Sequence, residues 1–262
     1  MTALPPWLSL TGRTALVTGA GSPTGIGMAT ARALGELGAR VEITATTDRI
    51  HQRVAELADE GIEAVGHVID LTDEAAVERL MADVLGRSGS IDVVVNNAGM
   101  VSTGTAAETG DLAGMSLATW RAGLQRNLDT AFLVSRAAIG PMRAQGWGRI
   151  VNVSSVTGPV MAMREEPAYA AAKAAMVGLT RALALDLATA GITVNAVAPG
   201  WIETGSQLSE EAPHGQVTPI GRSARPDEVA AVIAWFSSPG ASYVTGQALV
   251  IDGGNSIAEE RG

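Results

Sequence analysis

Seven short β-branched runs alternate with helix-like stretches along this chain, and that alternation constrains the fold more than any other feature. The runs fall at residues 14–18, 41–46, 64–69, 91–95, 149–153, 192–197 and 248–251. Most are continuously apolar, as expected of parallel strands buried on both faces. Helix-like stretches lie between them, among them 25–37, 49–58 and 73–85. Gly38 and Gly61 sit where helix C-termini take a left-handed residue, and Pro226 suits the first turn of a helix running to about Trp235. Strand and helix alternating in this way predict an α/β fold built on a doubly wound parallel sheet of about seven strands, with helices on both faces. Such sheets bind ligands at the carboxyl ends of their strands. No low-complexity linker or repeat interrupts the 262 residues, so 1–262 reads as a single domain.

Composition narrows the chemistry. The chain contains no cysteine, which removes disulfides, thiolate metal sites and cysteine nucleophiles and fits a reducing, cytoplasmic setting. A net charge of -9 without a basic stripe argues against a nucleic-acid partner. No run approaches 18 uninterrupted apolar residues, and the N-terminal MTALPPWLSL lacks the basic start and apolar centre of a signal peptide, so neither a membrane span nor secretion is expected. His51, His67 and His214 are scattered without metal-ligand spacing; surface or structural roles are expected of them, and no metal site.

The first strand runs into Thr18-Gly19-Ala20-Gly21-Ser22-Pro23-Thr24-Gly25-Ile26-Gly27, and a helix follows. Glycines there let backbone approach a pyrophosphate, while the helix N-terminus offers unpaired N–H groups and a favourable dipole. Placed after the first strand of an alternating chain, this loop points to a Rossmann-type dinucleotide site rather than a simple tight turn. A phosphate-loop lysine of the NTPase kind is absent. The second strand ends Thr44-Ala45-Thr46-Thr47-Asp48-Arg49, with no acid at its tip. Thr46, Thr47 and Arg49 suit a 2′-phosphate, which leans towards NADP(H); Asp48 in reach of a ribose hydroxyl leaves NAD(H) open. Asp70, followed by Leu71, is placed to accept from an adenine amino group, or else to cap the next helix. Asn96-Asn97-Ala98-Gly99 ends the fourth strand, where small residues and amides line a cofactor ribose or form only a polar turn.

Lys173 is the chain's single lysine, and Tyr169, one of two tyrosines, lies four residues before it. In a helix that spacing puts phenol and ammonium on one face. A phenol of pKa near ~10 needs a nearby cation to work as an acid or base at neutral pH, and Lys173 supplies it. Ser155, fourteen residues before Tyr169 at the end of the fifth strand, is placed to hydrogen-bond a substrate carbonyl.

Together the glycine loop, Asn96-Asn97-Ala98-Gly99, Ser155, the Tyr169/Lys173 pair, Asn195 and Pro199-Gly200-Trp201-Ile202-Glu203-Thr204 resemble the short-chain dehydrogenase/reductase family over essentially the whole chain. The likeness is greatest to its β-ketoacyl carrier-protein reductase-like branch, whose second strand ends much like Thr44-Ala45-Thr46. The resemblance implies an oxidoreductase moving hydride between nicotinamide and a carbonyl or secondary alcohol. Tyr169 would be general acid or base, Lys173 would lower its pKa and bind the nicotinamide ribose, and Ser155 would polarise the carbonyl. Asn127, by itself a mid-helix polar residue, matches the asparagine that holds a relay water. Gly19, Gly21, Ser22, Gly25, Ile26 and Gly27 would surround the pyrophosphate, Pro199, Gly200 and Ile202 would border the nicotinamide, and Thr204 would bond its carboxamide. A homotetramer or homodimer is implied, and small residues over 170–175 permit close helix approach.

Three departures stand out. Five residues, not the family's three, separate Gly19 from Gly25, and the extra pair near Pro23-Thr24 is expected to bulge outward. Thr24 stands where many NADP users carry a basic residue. The step from Ser155 to Tyr169 is one residue longer than usual, and its Arg164-Glu165-Glu166 reads as a solvated loop or as an edge of the substrate mouth. On the substrate side, 100–118 forms an unusually long Gly/Ala/Thr-rich connection and 201–220 a lid, with Met161, Met163 and Trp201 as an apolar wall. No cationic cluster offers a carrier-protein dock, so a small ketone, ketoester or secondary alcohol is expected, with an acyl thioester or a diol left open.

Overall fold

A computed structural model describes residues 4–99, 109–205, 207 and 212–259. Its strands are β1 (Thr14–Val17), β2 (Arg40–Ala45), β3 (Ala64–Val68), β4 (Val93–Asn96), β5 (Gly148–Val153), β6 (Ile192–Pro199) and β7 (Ala248–Ile251). They form one sheet in the order β3-β2-β1-β4-β5-β6-β7, every pair parallel. The order reverses between β1 and β4, which opens a crevice at the carboxyl ends of those two strands.

Continuous apolar strands bury both faces. Ala15 and Val17 point into one core with Met28, Leu34, Ile43, Ile50 and Phe236. Leu16 points into the other, with Val84, Val94, Ile150 and Leu187. Helices α1 (Ile26–Glu36), α2 (Arg49–Asp59) and α8 (Pro226–Ser237) cover the first face. On the second lie α3 (Glu74–Ser88), α5 (Thr130–Gln145) and α6 (Pro167–Leu187). Helices α4 (Leu117–Leu124) and α7 (Ala212–Gln216) complete the set. The expected helix ends are present: Gly38 and Gly61 take φ of 94° and 78° beyond α1 and α2, and Pro226 opens α8.

One polar chain crosses the otherwise apolar second face. Asn96 Nδ2 donates to Ser135 Oγ at 2.9 Å and to Asn152 Oδ1 at 2.8 Å. Asn152 Nδ2 donates to Thr180 Oγ1 at 2.8 Å, which donates to Met176 O at 2.8 Å. Buried polar groups hold position because alternatives are costly, so this chain fixes α5 and α6 against β4 and β5. Thr180→Val removes the acceptor of a buried amide and is expected to lower unfolding free energy by about 1–3 kcal/mol. Urea denaturation measures it; no change would mean that Asn152 finds another partner.

Candidate active site

The glycine loop is held by the turn after β4. Thr18 Oγ1 accepts from Asn97 N and Ala98 N, both at 2.9 Å, and donates to Val95 O. Asn97 Nδ2 donates to Thr18 O at 3.0 Å and Gly19 O at 3.1 Å, so this amide clamps the loop. A Cβ on Gly19 would lie 2.8 Å from Ala98 Cα, and one on Gly27 2.6 Å from Gly19 O. Only glycine permits that packing. Helix α1 then starts with no side-chain cap and no acid in its first turn. Its N-terminal N–H groups and dipole are thus suited to an anion, and the residues present fit a dinucleotide pyrophosphate.

Thr46, Thr47, Asp48 and Arg49 are exposed beyond β2. Asp48 precedes α2 without capping it through its side chain. The Arg49 guanidinium folds over the loop: a Cβ on Gly21 would sit 2.6 Å from Arg49 Nε. Asp70 accepts from Thr72 N at 2.9 Å and Thr72 Oγ1 at 2.7 Å, Leu71 beside it is buried, and the cap of α3 is Asp73. The inserted Pro23 and Thr24 are exposed, as expected, and Thr24 meets the segment after β6: a Cβ on Gly205 would be 2.7 Å from its Oγ1.

Ser155, Tyr169 and Lys173 line one cleft with Gly99, Pro199, Gly200, Ile202 and Thr204. Ser155 Oγ accepts from Thr157 N at 3.1 Å, which leaves its O–H to donate into the cleft. Lys173 is buried; its Nζ donates to Val153 O at 2.9 Å and lies 5.6 Å from the Tyr169 ring centre. Its main-chain carbonyl accepts from Ser154 Oγ at 2.8 Å. Gly158 lies so close to α6 that a Cβ would run into Ala170 O, which brings the Ser155 loop onto the helix that carries Tyr169. Burial holds the Lys173 pKa down, from its ordinary 10.5 to about 8.

Asn127 does not sit in an ordinary helix. It lies in a π turn, Gln125–Asp129, between α4 and α5, with its Nδ2 donating to Gly123 O at 3.1 Å. A Cβ on Gly99 would stand 2.8 Å from Asn127 Oδ1 and 3.3 Å from Lys173 Nζ, so both groups close on one glycine.

The cleft has a volume of about 410 Å³, and Met161, Met163 and Trp201 do line it. The segment after β6 is tied at its start: Ile202 bridges Ala224, Ala224 N donates to Trp201 O at 2.9 Å, and Glu203 N donates to Ala224 O at 2.8 Å. Of the stretch 201–220 expected to form a lid, residues 206 and 208–211 lie outside the described residues, as do 100–108 of the long connection. Three further residues line the cleft. His214 stacks on Trp201, centroids 4.9 Å apart at 19°. Glu166 lines the cleft, whereas Arg164 and Glu165 are exposed. Asn255 enters from beyond β7, its Nδ2 3.7 Å from Met161 Sδ. The carboxyl end of β7 signals Asn255 by the sheet rule alone; nothing local signals His214. Among the described residues no group of three or more potential metal ligands occurs and no helix is long and apolar enough to cross a membrane.

Residues 19–256 match the family model described as "Enoyl-(Acyl carrier protein) reductase". The 3-oxoacyl-(acyl-carrier-protein) reductase FabG of Pseudomonas aeruginosa is 39% identical over 253 residues, covering 94% of this chain and 98% of its own. The cis-4-hydroxycyclohexanecarboxylate dehydrogenase of Sinomonas cyclohexanicum is 42% identical over 246 residues, covering 92% and 96%. A gluconate 5-dehydrogenase from Burkholderia cenocepacia J2315, solved in complex with NADP and tartrate, superposes with a TM-score of 0.87 at 33% identity, covering 97% of this chain and 98% of that one.

The depressed Lys173 pKa has a signed consequence for stability. Between about pH 8 and 10.5 the folded chain binds fewer protons at this site than the unfolded chain, so stability from this group rises with pH across that window. The difference in melting temperature between wild type and Lys173→Met, measured from pH 7.5 upward, is expected to shift in favour of wild type; a flat difference would refute the burial cost.

Proposed function

The chain belongs to the short-chain dehydrogenase/reductase family, dehydrogenases and reductases that act on hydroxyl and keto groups, and from that membership and the cleft's geometry we propose a Ser155–Tyr169–Lys173 carbonyl reductase that favours NADP(H). The observation that carries this reading is the shared cleft: an oriented serine hydroxyl, a phenol and a buried ammonium converge beside a glycine loop built for an anion.

A bound nicotinamide dinucleotide supplies the hydride to the carbonyl carbon, or takes it from the alcohol in reverse. Ser155 donates its O–H to the carbonyl oxygen and holds it beside Tyr169. Tyr169 gives its phenolic proton to that oxygen as negative charge develops on it. Lys173, still mostly protonated at neutral pH with a pKa of about 8, stabilises the phenolate left behind. The Asn127 amide oxygen faces the same glycine, Gly99, as the Lys173 ammonium, which suits Asn127 to orient a proton returning through Lys173 to Tyr169. Gly19, Gly21, Ser22, Gly25, Ile26 and Gly27 hold the pyrophosphate. Asp70, Leu71, Asn97, Ala98 and Gly99 border the adenosine half, and Pro199, Gly200, Ile202 and Thr204 the nicotinamide half.

Arg49 over Gly21, with Thr46 and Thr47 exposed nearby and no acid at the tip of β2, favours NADP(H) over NAD(H). We read residues 1–262 as one catalytic domain with a lid over 201–220, acting on a small ketone or 3-oxoacyl compound. Exposed apolar side chains, Phe132 on α5 and Leu249 on edge strand β7, suit assembly as a homotetramer or homodimer.

Tyr169→Phe is expected to bind NADPH as wild type does but to lose kcat by about 10³-fold or more; turnover near wild type would remove the phenol from the mechanism. Arg49→Ala is expected to raise the Kd for NADPH about tenfold with little change for NADH. Fluorescence titration of both cofactors decides it, and equal losses would mean that Arg49 does not read the phosphate.

A further inference from the structure

One amide of the cleft has almost nothing to bond. Among the described residues three side-chain amides line the cleft, those of Asn97, Gln207 and Asn255. Asn97 Nδ2 is taken by Thr18 O and Gly19 O, and Gln207 Nε2 donates to Ser223 Oγ at 3.3 Å. The Asn255 side chain has a single polar contact, from Nδ2 to Met161 Sδ at 3.7 Å. A thioether is a weak acceptor, and it faces the nitrogen end. The amide oxygen is thus left without a donor among the described residues.

This amide is held in place from both sides. Asn255 follows β7 in a tight turn, in which Asp252 Oδ1 accepts from Gly254 N at 2.9 Å and Asp252 Oδ2 from Ser256 N at 2.7 Å. Asp252 O accepts from Asn255 N at 3.2 Å. Gly253 and Gly254 take φ of 64° and 83°, a backbone that a residue with a Cβ resists. The turn is set against the end of β6: Gly200 N donates to Ile251 O at 2.9 Å, and a Cβ on Gly200 would lie 2.8 Å from Asp252 Cβ. Met161, on the other side of the contact, belongs to the loop that follows Ser155. Its N donates to Val156 O at 2.8 Å, and its carbonyl accepts from Gly158 N at 2.7 Å. Asn255 is therefore fixed relative to the serine assigned to the carbonyl.

Much of the remaining wall is apolar, with Met161, Met163, Trp201 and Val217 in it. When a substrate displaces water from such a cleft, an acceptor without a donor is costly. A few placed polar groups on an apolar wall are what orient a small ligand. A hydroxyl complements this amide at both ends, giving its O–H to the oxygen and offering lone pairs to the nitrogen.

We propose that Asn255 is a specificity-determining residue that takes a substrate hydroxyl remote from the reacting carbon, so that the cleft favours hydroxyketones and the diols they become. This rests on the oxidoreductase reading of the same site and names its substrate class. The test is calorimetric binding to the protein saturated with its tighter-binding oxidised cofactor, a complex in which neither a ketone nor a tertiary alcohol can react. Three pairs of ketones, each exchanging a tertiary hydroxyl for a methyl group, sample three spacings: 4-hydroxy-4-methyl-2-pentanone against 4,4-dimethyl-2-pentanone, 4-hydroxy-4-methylcyclohexanone against 4,4-dimethylcyclohexanone, and 7-hydroxy-7-methyl-2-octanone against 7,7-dimethyl-2-octanone. In at least one pair the hydroxyl member is expected to bind about fivefold or more tightly. N255L is expected to bring that ratio to about one or below while the methyl member changes less than about threefold, and N255D, which keeps an acceptor, to hold the ratio within about twofold of wild type. No hydroxyl preference in any pair of the wild type overturns the inference. So do equal losses for both members in N255L, or a preference lost in N255D as fully as in N255L. Turnover with reduced cofactor is measured alongside: hydroxyl preference in binding without turnover of any of the six overturns the oxidoreductase reading alone, turnover without that preference overturns this inference alone, and neither overturns both.

Discussion

The buried ammonium of Lys173 sets the terms for everything around it. Removing that charge from water is costly, and the fold meets it with a backbone carbonyl, Val153 O at 2.9 Å, and the face of Tyr169 rather than with a carboxylate. That choice matters chemically. A carboxylate partner would cancel the field that the phenol needs, whereas a carbonyl dipole solvates the ammonium and leaves its charge intact. The consequences spread outward: a Cβ at position 99 would press on Asn127 Oδ1 and crowd Nζ, and Ser154 ties the same lysine's carbonyl back to β5. Arginine, the chain's residue at its 17 other Lys/Arg positions, carries a planar fork in place of the compact ammonium that this spot uses.

Such placement requires a rigid frame, and the frame is what the sequence shows most clearly. Most of the strands are largely apolar because the sheet is covered on both faces, so all seven are visible in the residues themselves, and Gly38, Gly61 and Pro226 mark helix ends by local backbone chemistry. The Tyr169/Lys173 pair is legible for the same reason: its spacing is a property of one helix. Ser155 and the glycine loop are legible because they follow strands whose ends must share one edge of the sheet.

Features that arise where separate segments meet are not legible in this way. His214, in α7, and Trp201, just after β6, are thirteen residues apart, and no periodicity relates them. Glu166 sits between a charged pair and a proline, a pattern that reads as solvated loop or mouth edge; the left-handed turn at Glu165 brings it inward. Asn97 is open to a ribose role by position, yet its amide nitrogen is engaged in holding Thr18 and Gly19. Likewise the two extra residues of the glycine loop are visible as a length difference, but their meeting with Gly205 is not.

The π turn at Gln125–Asp129 is an insertion absorbed without a loop. Buried positions along α4, the π turn and α5 are 123, 127, 130, 131, 133, 134, 135, 138 and 142, a face that continues across the turn. One surplus residue has been taken into the coil at Asn127, so the residues before it and after it keep the same side towards the core. Removing a single residue there would restore ordinary winding with the flanking faces unchanged, and would cost the site the widened turn that carries Asn127. Asn127 therefore reaches Gly99 through a miscount in the helix, and the length of that segment is as much a part of the site as the identity of its asparagine.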